Sequence, residues 1–228
     1  MSRKQRKRGP VTIGVTMEKY VASRFWHNFN RIERVAKDHQ MFISMARTDK
    51  ARNDVVKFFL EETKDSHLLF LDSDQLFPPD VIRRLLVHNV PIVGCLYFQR
   101  DPERPIPHMY TWDTEKLTDA GDPSLKPIEE WEPGLLKVGM VGTGGMMIAR
   151  WVLEKIPFPW FEYGGYSESE DVTFCRKCGK LGIDIYCDTA TESGHIGEVI
   201  VGSEQFRFWK AVKEKRVDMS FLKGGGDD

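Results

Sequence analysis

The sequence predicts an α/β fold, a mostly parallel central sheet flanked by helices, on three observations. Short β-rich runs alternate with stretches whose apolar residues recur at helical spacing. The most apolar run, Leu68 to Leu71, lacks the alternation of a half-solvated strand and reads as one buried on both faces. Two carboxylates, Asp72 and Asp74, stand where that run ends, the edge at which open α/β sheets bind their ligands.

Taken in order, Val11 to Val15 is the first strand, and Val21, Phe25, Phe29, Ile32 and Ala36 mark one face of the helix after it. Met41 to Met45 is the second strand, and Ala51, Val55, Phe58 and Phe59 recur at helical spacing before the third begins at His67. Pro79 suits the first turn of a helix through Val81, Ile82, Leu85 and Leu86, where Asp80 complements the dipole. Pro91 to Phe98 is the fourth strand. From Gln99 to Pro133 prolines and isolated aromatics break the regularity, so this is a long excursion with one strand near His108 to Trp112, suited to meeting a second substrate.

Leu135 to Val141 returns to the sheet and enters the glycine cluster Gly142-Thr143-Gly144-Gly145. Met146 to Ile156 is a strand turning into a short helix. An aromatic loop with Trp160, Phe161 and Tyr163 follows, then a helix capped by Ser169, passing through Cys178 and ended by Gly179 or Gly182. Asp184 to Cys187 is a short strand, and Gly194-His195-Ile196-Gly197 closes the ordered part before a final helix near Ser203 to Lys215.

The expected organisation is a disordered basic arm at 1–10, one domain at 11–217 and a disordered tail at 218–228. With 228 residues and a formal net charge of -1, the overall balance commits the chain to neither nucleic acid nor a membrane surface. Arg3, Lys4, Arg6, Lys7 and Arg8 are a local exception. No run is long enough to span a bilayer, and four cysteines make no disulfide framework in a chain of this size, so a soluble cytoplasmic protein is expected.

Three groups that could carry chemistry lie just past strand ends: Asp72 with Asp74, Glu168 with Glu170 and Asp171, and His195. On extended chain the i, i+2 spacing would turn Asp72 and Asp74 the same way, and two converging carboxylates call for a hard divalent cation. Each group also has an ordinary reading: a polar turn, helix N-terminal charges, a hydrogen-bonded histidine. Cys175-x-x-Cys178 with Cys187 and His195 offers a rival, a zinc-stapled nucleic-acid-binding protein without catalysis. A metal-dependent nucleotidyltransferase using the same aspartates is a second rival.

The ordered set Val11-Thr-Ile-Gly-Val, Leu69-Phe-Leu-Asp72-Ser-Asp74, Gly142-Thr-Gly-Gly-Met-Met-Ile-Ala-Arg150, Glu170-Asp171 and Gly194-His195-Ile-Gly resembles the GT-A glycosyltransferases. The pattern is similar to small bacterial and bacteriophage members of the family-2-like group, over roughly Val11 to Gly202. The resemblance implies a hexosyltransferase-like enzyme with a nucleotide-sugar donor, a UDP-sugar first, and Mn2+ or Mg2+, acting in the host cytoplasm if phage-encoded. It implies that Asp74 and His195 ligate the metal, with Asp72 near the metal or the ribose. Thr16 and Glu18 would lie near the nucleobase, Arg47, Arg52 and Asn53 near the nucleotide, and Ser73 among the donor-binding residues. Gly144, Gly145 and Trp160 would line the sugar and acceptor side.

Asp171, or Glu170, would be the catalytic base of an inverting enzyme. Tyr163-Gly164-Gly165 is set apart from Glu170-Asp171 by four residues, so neither the inverting nor the retaining pattern fits cleanly and the stereochemistry stays open. The acceptor stays open too, among a modified DNA base, a glycan, a lipid-linked sugar and a protein hydroxyl.

Overall fold

The computed structural model describes residues 10–34, 38–101, 103–164, 168–197 and 202–214. The basic residues ahead of Pro10, the expected 218–228 tail, Ala36 and residues 165–167 lie outside the described residues. In chain order the elements are β1 (Val11–Met17), α1 (Ser23–Phe29), β2 (His39–Ser44), α2 (Thr48–Glu62), β3 (His67–Asp72), β4 (Gln75–Leu76), α3 (Val81–His88) and β5 (Ile92–Leu96). There follow β6 (Met109–Leu117), β7 (Pro123–Pro127), β8 (Leu135–Val138), β9 (Met140–Val141), β10 (Gly145–Ala149), α4 (Arg150–Lys155), α5 (Glu170–Lys180), β11 (Ile185–Glu192), β12 (Gly194–His195) and α6 (Ser203–Lys213).

Seven strands form the central sheet in the order β2-β1-β3-β10-β5-β11-β8. Five of them, β2, β1, β3, β5 and β11, run one way, while β10 and β8 run against them. The mostly parallel sheet follows from its sequence: strands separated by helices cannot pair as hairpins and must cross over a face.

Alternate residues of β3 enter different layers, as a period of two demands. Leu68 and Phe70 join Val55, Val56 and Phe59 of α2, Val152 and Leu153 of α4, and Phe174 of α5. Leu69 and Leu71 join Phe25 and Phe29 of α1 and Val81, Ile82 and Leu85 of α3. Every one of these side chains is at least 97 % buried, and each such burial contributes roughly 1.5–3 kcal/mol. The run without polar alternation is therefore a strand with a helical layer on each side. Its end, at Asp72, falls in the middle of the sheet.

The Gln99–Pro133 excursion holds two strands where one was expected. β6 pairs with β7 as a hairpin and with β9 on its other side. Pro123 and Pro127 at the ends of β7 argue against a strand by sequence, but β7 is an edge strand, where missing N–H donors leave no ladder bond unmade. The Leu135–Val141 run divides at Gly139, whose N–H donates to the Tyr110 carbonyl (2.8 Å): β8 stays in the main sheet and β9 joins the hairpin. α1 is shorter than its apolar spacing implied and ends at Phe29, with Ile32 still buried beyond it.

α5 ends through Gly182, not Gly179. The Ile183 N–H donates to the Cys178 carbonyl (2.9 Å) and the Gly182 N–H to that of Gly179 (3.0 Å), with Gly182 at φ +67°. This is the Schellman closure, which needs a left-handed residue.

Candidate functional site

β1 and β3 are paired in parallel with Thr16 opposite Asp72, so the two residues leave the sheet side by side. The Thr16 hydroxyl donates to Asp72 Oδ1 (2.9 Å). From α2, one face of the Arg52 guanidinium also reaches Asp72 Oδ1 (3.4 Å), while its other nitrogen is paired with Glu170 at the start of α5. Arg52 is 4 % exposed. Burial works against its charge, but the neighbouring Asp72, Glu170 and Asp171 more than offset this and hold it protonated. Burial raises the pKa values of Asp72 and Glu170, with Arg52 opposing the rise in both.

Beyond Asp72 the chain is no longer extended; Ser73 and Asp74 form a turn. The expected alignment of the two aspartates therefore does not occur, and they serve different partners. Asp74 Oδ2 lies 3.2 Å from His195 Nε2 and 3.2 Å from an Arg100 nitrogen. The small β4–β12 ladder creates this meeting by placing Gln75 opposite His195, 120 residues on in the chain. The Ile196 N–H donates to the Asp74 carbonyl (2.6 Å), and the Ser193 hydroxyl donates to Gln75 Oε1 (2.8 Å).

His195 Nδ1 donates to the Phe98 carbonyl (2.7 Å), which fixes the ring and aims Nε2 at Asp74. Burial disfavours the imidazolium, but the Asp74 and Phe98 contacts outweigh it and raise the pKa. In return the Asp74 pKa lies below the ordinary carboxylate range: burial would lift it, and His195 and Arg100 overcome that.

A cleft of about 590 Å³ opens beside these groups, lined by Thr16, Glu18, Arg52, Asp72, Ser73, Asp74 and Arg100, among others. Six of the sequence-derived site residues thus share one cavity, and His195 joins through Asp74. Glu18 is exposed at its lip. Arg47 is instead on the surface at the head of α2, paired with Asp49 (2.6 Å). Asn53 does not face the cleft. It is buried, with Oδ1 accepting from the N–H groups of Trp160 and Phe161 (3.0 and 3.1 Å) and Nδ2 donating to the Phe161 carbonyl (2.7 Å).

Trp160 is likewise a core residue, its indole N–H given to the Leu153 carbonyl (2.8 Å). Gly144 lies against Asp72, whose N–H donates to its carbonyl (3.0 Å), and a Cβ there would run into the Gln75 amide. Gly145 packs on Cys95 and Phe77. At the head of α5, Asp171 accepts from the Ser169 hydroxyl and from the Val172 N–H (2.9 Å).

No family model matches the chain, and no curated protein matches it in sequence. Solved structures do resemble it. The crystal structure of A197 from STIV is similar with a TM-score of 0.60 and 18% identity, over 85% of this chain and 91% of that one. GalNAc-T7, solved with UDP, GalNAc and Mn2+, is similar with a TM-score of 0.58 and 11% identity, over 84% of this chain and 44% of that one. The fold is GT-A-like. Identities this low carry the fold and nothing finer.

Among the described residues no cluster of three His, Cys, Asp or Glu side chains converges. Asp72 gives one carboxylate oxygen, Oδ1, to Thr16 and Arg52. Asp74 and His195 do fit. A histidine whose Nδ1 is tied to a carbonyl and whose Nε2 meets a carboxylate oxygen is oriented as a metal ligand must be. Two protein donors beside an open cleft suit a cation that completes its shell with phosphate oxygens and water.

The zinc alternative is not favoured. Cys175, Cys178 and Cys187 are fully buried, burial raises all three thiols, Cys178 to about 12, and among the described residues they form no group of three with one another or with His195.

Sequence reasoning missed Arg100, Gln75, Tyr97 and His108. Gln75 was unreadable because its partner Ser193 is 118 residues away. Tyr97 precedes the excursion and His108 lies inside it, with rings stacked at 4.7 Å. Their proximity to proline-rich sequence was the available hint.

Proposed function

We propose that this chain is a metal-dependent glycosyltransferase, moving a sugar from a nucleotide-diphosphate donor, a UDP-sugar first, to a hydroxyl acceptor. The observation that carries the reading is the Asp74–His195 pair, preset by the Phe98 carbonyl and standing at the edge of the cleft. GalNAc-T7, of the same fold, was solved with UDP, GalNAc and Mn2+, which supports a donor and a metal of those kinds here.

Asp74 and His195 would hold Mn2+ or Mg2+. When bound, the cation stabilises the negative charge that builds on the departing diphosphate. Thr16 and Glu18 line the part of the cleft that takes the nucleoside, and Arg100, whose guanidinium rests on Asp74, is placed to meet a phosphate oxygen. Arg52 fixes Asp72 and Glu170 and opposes the rise in pKa that burial imposes on both. Glu170 is thereby committed to an ion pair. Asp171, which has no such partner cation in contact among the described residues, is the better base. The acceptor oxygen bonds to the anomeric carbon as the carbon–oxygen bond to the diphosphate breaks. The bonding pair leaves with the diphosphate, and the hydroxyl proton passes to Asp171.

Calorimetry with UDP and Mn2+ tests this. Asp74→Ala and His195→Ala should each weaken Mn2+-dependent UDP binding at least tenfold while leaving the unfolding transition cooperative. Unchanged binding in both variants would remove the metal assignment. Asp171→Asn should keep UDP binding and lose transfer by 10² or more, the usual contribution of a general base. Near-normal transfer in that variant would assign the base elsewhere, and pyrophosphate release from a nucleoside triphosphate would replace the reaction class.

A further inference from the structure

One oxygen at the edge of the cleft, Asp74 Oδ2, is claimed twice. His195 Nε2 and an Arg100 guanidinium nitrogen each lie 3.2 Å from it, so the oxygen offered to the proposed metal already carries a cation of the chain's own. The three side chains differ in freedom. The Asp74 backbone is tied through the Ile196 N–H (2.6 Å), and the imidazole is fixed by the Phe98 carbonyl (2.7 Å) and by the Tyr97 ring, which it meets edge-on at 5.8 Å and which stacks in turn on His108. Arg100 is anchored only at its root, where the Gln99 N–H donates to the Ile106 carbonyl (2.8 Å) and Phe98 pairs with Pro107. Its side chain is 52 % exposed, and the bond to Asp74 is the only hydrogen bond its guanidinium makes among the described residues. Ion pairs as exposed as this are weak and exchange readily.

Two other cations line the same cleft, and both are engaged elsewhere. Arg52 is buried and shared between Asp72 and Glu170, and Lys19 rests over the Tyr20 ring (5.3 Å). Neither is bonded to Asp74. A guanidinium and a divalent cation on one carboxylate oxygen repel each other, so Arg100 must leave Asp74 for the metal to take it. Arg100 itself lines the cleft. A diphosphate there offers it oxygens of higher charge than the carboxylate it gives up.

We propose that Arg100 is the chain's stand-in for the metal: it neutralises Asp74 in the metal-free chain and exchanges that carboxylate for a phosphate oxygen when a metal–nucleoside diphosphate chelate binds. This rests on the glycosyl-transfer reading. It names the chelate, rather than the bare ion, as the species the site takes. A bare ion has to displace Arg100 and gives it no new partner, whereas the chelate brings the group to which Arg100 moves. Metal and nucleotide therefore strengthen each other's binding by one common factor, and Arg100 supplies part of it.

The test measures two affinities of the full chain: Mn2+ without nucleotide, from the electron paramagnetic resonance signal of free Mn2+, and UDP at saturating Mn2+, by calorimetry. Arg100→Met removes the charge and keeps an unbranched side chain. It should bind Mn2+ alone about threefold to fivefold more tightly, the strength of an exposed ion pair, and UDP with Mn2+ about tenfold more weakly, for the lost charged hydrogen bond. Arg100→Lys keeps the charge without the fork, so it should return Mn2+ binding to near the original and recover UDP binding only in part. A residue that merely shapes its loop would weaken both affinities in Arg100→Met, and one that merely contacts phosphate would leave Mn2+ alone unchanged. Either pattern, or tighter Mn2+ binding with UDP unaffected, overturns this proposal while Mn2+-dependent UDP binding in the unaltered chain upholds the metal reading. UDP binding that is absent or independent of Mn2+ in the unaltered chain sinks the metal reading itself, and this proposal with it.

Discussion

Arg52 shows how one buried charge can organise a site. It spans from α2 to the end of β3 and to the head of α5, and both carboxylates it meets are otherwise hard to keep ionised. Replacing it leaves buried Glu170 and half-buried Asp72 without a cation, a change that typically costs 3–5 kcal/mol. Urea unfolding of Arg52→Ala should therefore show a loss of roughly 3 kcal/mol, with part of it recovered in Arg52→Ala/Glu170→Gln. A loss below about 1 kcal/mol would mean that water replaces the guanidinium. The sequence made Asp72, Asp74, Glu170 and His195 legible because each stands beside a strand end, a helix start or a glycine. It did not reveal that Asn53 and Trp160 hold the loop to the core, since their partners are backbone groups more than a hundred residues away or on the preceding helix α4.

At the scale of elements, the alternating strands and helices through β5 were readable because each buries a face with its own period. The hairpin of β6 and β7 was not. Its strands are half-exposed and proline-bounded, and are stabilised by each other rather than by a private hydrophobic pattern. Helix ends were legible where chemistry forces them, and α5 is the clearest case. A Cβ at Gly182 would meet nothing within 4 Å, so a substitution there is penalised only by φ +67°. Gly182→Ala should cost about 1 kcal/mol. Gly179→Ala, at the helical position where a Cβ also has open space, should be neutral or slightly stabilising. Equal effects of the two in chemical denaturation would contradict the Schellman assignment.

For the whole molecule, the site's two histidines impose opposite pH dependences. Burial, opposed by the Asp171 charge and aided by that of His195, lowers the His108 pKa to about 4. Between there and the ordinary value near 6.5 the unfolded chain binds the extra proton, so stability falls on acidification, by at most roughly 3 kcal/mol. The folded pKa of His195 is raised. Its contribution is therefore complete below about 6.5 and is lost as pH rises through the folded value. Thermal unfolding of the metal-free chain should accordingly lose its acid-side slope in His108→Phe and its alkaline-side slope in His195→Ala. Mn2+ needs the Nε2 lone pair that the proton occupies, so the stabilisation by Mn2+ with UDP should grow over the range in which the His195 proton is lost. At about a hundredfold excess over Kd that stabilisation reaches roughly 2.7 kcal/mol, and a Mn2+ effect flat from pH 6 to 9 would place the metal away from His195.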